Sequence, residues 1–168
     1  MTRKLGCSQI KCDINRVYFM YNYILNYGDM KKEMPDKQRD FWYPDWEFYR
    51  ETHELMLDIF GGQRGNVMFA EKGFNTIIDE VKKVDDIWDQ AAHMLYRLRH
   101  SRLVEDAQKR TAYTVTATFL ETNGYAMAEK EEAKIIRFIK YDMLHCDESQ
   151  IKEWMKGGKI PKSAQNKG

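Results

Sequence analysis

Apolar side chains return every three to four residues along most of this chain, and no strand-length run alternates apolar with polar positions. That periodicity predicts an all-α protein, a compact bundle of about six to eight helices. From Asp13 to about Met34, Val17, Met20, Tyr21, Ile24 and Leu25 fall on one face behind Asp13 as N-cap, and Pro35-Asp36 breaks the helix. The tyrosines of this segment, Tyr18, Tyr21, Tyr23 and Tyr27, read as core and rim, with a partner-binding face as the alternative. After the aromatic linker Phe41-Trp42-Tyr43-Pro44, Asp45 caps a helix carrying Phe48, Thr52, Leu55, Met56 and Ile59, closed by Gly61-Gly62. His53 lies off that stripe and reads as a surface residue, or one acting behind a site, rather than as catalytic.

Gln63 to Phe69, with Gly65-Asn66 between short apolar pieces, reads as a loop or small hairpin. A helix over Ala70–Lys83 presents Phe74, Ile77, Ile78 and Val81. Asp85-Asp86 opens the next, where Ile87, Ala91, Met94, Leu95 and Leu98 form the stripe and Ala91-Ala92 predicts close helix packing. His93 is expected to be partly exposed. The run from Glu129 to Leu144 carries Ile135, Ile136, Ile139 and Met143, and Asp147 caps a last helix with Ile151, Trp154 and Met155 that ends at Gly157-Gly158. Three parts follow: residues 1–40 as a helical extension packed on the core, 41–156 as the main helical domain, and 157–168 as a basic tail expected to be disordered.

Composition changes this picture little. With 168 residues, 43% hydrophobic and 13% aromatic, the chain can bury a continuous core without disulfides. A net charge of +1 gives no global basic field, so no nucleic-acid partner is expected. No apolar run suffices to span a bilayer, and a cytoplasmic protein without a membrane partner is expected. Cys7, Cys12 and Cys146 are odd in number and lack a CxxC pattern; they read as free thiols, with a half zinc site at Cys7 and Cys12 completed by Cys146 and His145 as the alternative.

The stretch from Arg102 to Gly124 carries the chemistry. Ala112, Val115, Phe119 and Leu120 recur at helical spacing between Glu105-Asp106 and the stop Asn123-Gly124, so a helix begins near Asp106 or Ala107. Its first turn holds Lys109 and Arg110, cations beside the free amides of a positive dipole end, an unfavourable placement unless an anion sits among them. Such a turn is a candidate phosphate site. Just upstream, Arg97, Arg99, His100 and Arg102 crowd a helix end, where they read equally as a solvated basic cluster or as a phosphate-facing one.

Asp106-Ala107-Gln108-Lys109-Arg110-Thr111-Ala112, followed by Phe119-Leu120-Glu121 and Asn123-Gly124, resembles the signature helix of the Fic/Doc (Fido) family, H-P-F-x-[DE]-[GA]-N-[GK]-R-T-A with a downstream F-L-x-x-N-G. Ala107 and Lys109 are closest to the Doc-like branch. The resemblance covers roughly the last three-quarters of the chain and implies the Fido helical fold for residues 41–156, with Gln63–Phe69 as the flap beside the site. It implies Asp106 as the metal residue holding Mg²⁺ on ATP or another nucleotide, and Ala107, Gln108, Lys109 and Arg110 as the phosphate- and nucleotide-binding residues. It also implies transfer of a phosphoryl or nucleotidyl group to a protein hydroxyl, and a target protein or antitoxin-like protein as partner.

The motif is degenerate. Arg102 stands at the position of the family's catalytic His, Leu103 and Val104 at those of its Pro and Phe, and Gln108 at that of its Asn. A guanidinium stays protonated and cannot act as a base; losing general-base help removes roughly 10²–10⁴ in rate. His100, two residues too early, is the other catalytic candidate if a bulge brings it into register. A non-enzymatic interaction module on the same scaffold is the competing reading. No inhibitory S/T-x-x-x-E-[GN] motif occurs.

Overall fold

The computed structural model describes residues 40–159, so the predicted Asp13–Met34 helix, Cys7, Cys12 and most of the tail lie outside the described residues. Within them the chain forms six α-helices: α1 (Trp46–Phe60), α2 (Ala70–Val81), α3 (Ile87–His100), α4 (Gln108–Thr122), α5 (Glu132–Lys140) and α6 (Glu148–Gly157), with a 3₁₀ turn over Asp142–His145. None of these helices is long and apolar enough to cross a membrane.

The helix starts follow from their caps. The Asp45 carboxylate accepts the Phe48 amide at 2.8 Å, Asp86 accepts those of Trp88 and Asp89, and Asp147 forms a capping box with Gln150. The predicted Glu129–Leu144 helix is shorter. Glu129 turns its carboxylate onto the amides of Lys130 and Glu131, which delays the start to Glu132, and the backbone tightens into the 3₁₀ turn after Lys140.

The two longest-range stripes meet in the middle. α3 packs against α2, α4 and α6, with the small Ala91 and Ala92 fully buried in the shared core beside Leu95, Leu98, Val115 and Phe119. α4 is also flanked by α1 and α5, which places its N-terminal turn between them. Phe138 of α5 stacks on Trp154 of α6, ring centroids 3.6 Å apart. At the far end of α4, the buried Asn123 accepts the Trp42 amide at 2.8 Å and donates to the carbonyls of Trp42 and Phe119, tying the entering chain to the helix stop. Cys146 is buried, with its thiol pushed up to about 11 by burial, the behaviour of an inert core thiol.

Candidate functional site

α4 starts one to two residues later than its sequence pattern suggests because Ala107 adopts the left-handed conformation, φ 56°. A left-handed residue cannot continue a right-handed helix, so Ala107 becomes the N-cap and the first intrahelical bond runs from Thr111 N–H to Ala107 O at 2.9 Å. The amides of Gln108, Lys109 and Arg110 therefore precede the ladder and point out of the helix end.

Three contacts hold this turn. Asp106 accepts its neighbour Ala107's amide at 2.6 Å and the Gln63 amide at 3.3 Å; these bonds, the Ala107 one foremost, hold its carboxyl below the usual carboxylate range. Gly62 makes the approach possible: a Cβ there would lie 2.7 Å from Asp106 Oδ2 and from Leu57 Cδ2, at a φ of 142° that L side chains rarely adopt. Beneath, His53 Nε2–H donates to the Asp106 carbonyl at 3.1 Å. His53 is fully buried, which excludes the surface reading among the two its off-stripe position allowed, because α1 packs on two sides: Tyr49 joins the main core, while Met56 and Leu57 form a second small cluster with Ala107. Burial pushes the imidazole below its ordinary value, and its buried Nδ1 has no hydrogen-bond partner, the Glu54 carboxylate lying 3.9 Å away.

Outside the turn lies a cavity of about 720 Å³. One wall is α1 (Met56, Phe60), the floor is the start of α4 with Tyr113 and Thr114, and the opposite wall is the face of α5 with Ile135, Ile136 and Ile139. Phe60 and Ile136 are at least half exposed and flank it. Lys109 and Arg110 both line it. Arg110 lies over the Phe60 ring at 5.0 Å and reaches the Gly61 carbonyl at 3.5 Å. Among the described residues no carboxylate comes within ion-pair distance of either cation.

The predicted site residues divide. Asp106, Ala107, Lys109 and Arg110 are brought together on the cavity. Gln108 contributes its backbone there, but its amide nitrogen donates back to the carbonyls of Leu98, Arg99 and Ser101, closing the end of α3. His100 and Arg102 do not line the cavity: both are exposed, and His100 bonds the Tyr96 carbonyl at 2.7 Å with its ring against Tyr96. The upstream basic cluster is split: Arg97 pairs with Glu80, whereas Arg99 lines the cavity. Lys140 also reaches the cavity, and sequence periodicity held no signal for it. The α5 isoleucines read as core in the sequence, yet only Ile139 of the three is buried.

Of its two readings, Gln63–Phe69 takes the loop rather than the hairpin. Asn66 forms a single antiparallel bridge to Val104, supported by Val67 N–H to Leu103 O and Glu105 N–H to Gly65 O, so it pairs with the loop leading into α4. For Mg²⁺, Asp106 is a single exposed carboxylate, and no three His, Cys, Asp or Glu side chains among the described residues are grouped to hold a metal ion. Such a donor set suits Mg²⁺ only where phosphate oxygens and water supply its remaining ligands. Searches of protein-family models, curated proteins and solved structures found no match to this chain.

Proposed function

We propose that this protein binds a phosphate group, free or as part of a nucleotide, at the N-terminal turn of α4, as a Doc-like member of the Fic/Doc family in which transfer to a protein hydroxyl is impaired or lost. One observation carries the reading: three outward amides and the side chains of Lys109 and Arg110, with no carboxylate of the described residues within ion-pair distance, face a cavity large enough for a nucleotide. A helix N-terminus and two cations share a preference for an anion, and the low polarity of the α5 wall strengthens it. The same wall suits a nucleobase or another apolar group. Asp106 is the residue to hold Mg²⁺ against the phosphates, where the metal would neutralise charge.

The impairment rests on the same geometry. Transfer to a hydroxyl needs a base within hydrogen-bond reach of it. His100 and Arg102 lie off the cavity, and His53 is committed to the Asp106 carbonyl beneath the turn. Phosphate binding without turnover follows, with a target protein or an antitoxin-like protein as partner in a cytoplasmic setting. A purely non-enzymatic interaction module is favoured by Met68 and Phe69, exposed on the flap at 81% and 75%.

Calorimetric titration with inorganic phosphate, and with ATP and Mg²⁺, tests the reading. Binding is expected, weakened about tenfold by Arg110→Ala. Radiolabelled ATP with a cell lysate should show no label transfer for wild type or for Arg102→Ala. Transfer abolished by His100→Ala would overturn the impaired-site reading. Absence of any phosphate or nucleotide affinity would leave the interaction module.

A further inference from the structure

Three cations from three separate elements converge on one part of the cavity: Arg99 from the last turn of α3, Lys109 from the first turn of α4, and Lys140 from the end of α5. None has a carboxylate of the described residues within ion-pair distance. The Nε of Arg99 is buried without a hydrogen-bond partner, and Lys140 is held only loosely, 5.2 Å over the Tyr141 ring. They are close enough that burial, Arg99 and Lys140 together push the Lys109 ammonium below its usual range. Three carboxylates, Glu105, Asp106 and Glu132, also line the cavity, and none lies within ion-pair distance of these cations. Asp106 is drawn to the amides of Ala107 and Gln63, Glu105 is exposed on the loop before α4, and Glu132 precedes Lys140 by eight residues, about 12 Å of helix rise. Three like charges without an ion-pair partner repel one another and lower stability until an anion joins them. Beside them Ile135, Ile136 and Ile139 offer an apolar surface.

We propose that Arg99, Lys109 and Lys140 select the dianionic terminal phosphate of a phosphate monoester over the monoanionic phosphate of a diester, with the ester's apolar group resting on the α5 isoleucines. The inference rests on the phosphate-seat reading above and names its ligand class. A diester has one charge to set against three cations and a positive helix end, and leaves the cluster largely unneutralised; a monoester above pH 7 has two.

The test compares phenyl phosphate with methyl phenyl phosphate, which share the ring and differ in charge, by calorimetry on the full chain at pH 8. The monoester is expected to bind at least about tenfold more tightly. Lys140→Gln, on an exposed last turn, should bring the ratio towards one, as should Arg99→Gln. Thermal melts without ligand should show Lys140→Gln at least as stable as wild type, because repulsion is relieved; a merely structural lysine would lower the midpoint. Equal affinities for the two esters, or a ratio unchanged in both variants, would overturn the proposal while leaving the phosphate seat intact. No binding of either ester or of inorganic phosphate by wild type would remove the seat and this inference with it.

Discussion

His53→Gln separates the buried imidazole's role from bulk packing. His53 has no exposed surface, and its Nε2–H donates to the Asp106 carbonyl. Its pKa is lowered from 6.5 chiefly by burial, with the Asp106 carbonyl pulling the other way. In the folded state the ring therefore stays neutral at pH values where the unfolded chain takes up a proton. Stability linked to His53 is complete above about pH 6.5 and is lost as pH falls below it, levelling once the folded imidazole also charges. Between pH 7.5 and pH 5.5 the loss is up to about 1.4 kcal/mol, the equivalent of one proton over one pH unit. Urea unfolding followed by tryptophan fluorescence at the two pH values measures it. The Gln variant keeps a donor for Asp106 but has nothing to titrate, so its pH dependence should be shallower by that amount, with His93, His100 and His145 common to both proteins. His53→Leu, which keeps bulk without a donor, should loosen the Asp106–Ala107 turn and weaken phosphate binding more than His53→Gln does. Identical pH dependence in wild type and His53→Gln would refute the reasoning, since the ring would then charge in place at no cost.

Asn123→Ala removes three hydrogen bonds of a buried amide and should cost about 3 kcal/mol in urea unfolding, with the chain before α1 losing its hold on α4. Ala107→Gly relieves a left-handed alanine at φ 56° and should raise stability by up to about 1 kcal/mol, seen as a higher melting midpoint. Gln108→Ala leaves the carbonyls at the end of α3 without their donor and should cost about 1–2 kcal/mol, while phosphate affinity, which uses the backbone at that position, stays within about twofold of wild type.

The helices were legible because their causes are local. Asp45, Asp86 and Asp147 stand one residue before their helices and accept amides from the first turn, and Gly61 and Gly124 take the positive φ that ends the neighbouring helices. A period of three to four residues and a capping carboxylate need no knowledge of what packs against them. Boundaries were misjudged where conformation departs from propensity. Alanine favours helices, yet Ala107 is left-handed, its methyl buried against Met56 and Leu57 while Asp106 is pinned by Gln63 and His53. The Glu129–Leu144 pattern continues through a side chain that folds back on its own backbone at Glu129.

By itself, then, the order of residues determined an all-helical chain, its caps, most of its core and a turn rich in positive charge at Lys109-Arg110, because each is a property of neighbours along the chain. The folded arrangement alone decided which charges meet. Arg97 and Arg99 are two residues apart on one helix, so they point in different directions: one pairs with Glu80, the other enters the cavity. Lys140 arrives beside Lys109 from thirty-one positions away only because α5 lies across the start of α4. His53 is buried because Tyr49, off the stripe of α1, joins the main core while the stripe's own Met56 packs on Ala107 in a second cluster. Electrostatic and packing energies depend on distance in space, and periodicity along a helix carries no information about which other helix comes near.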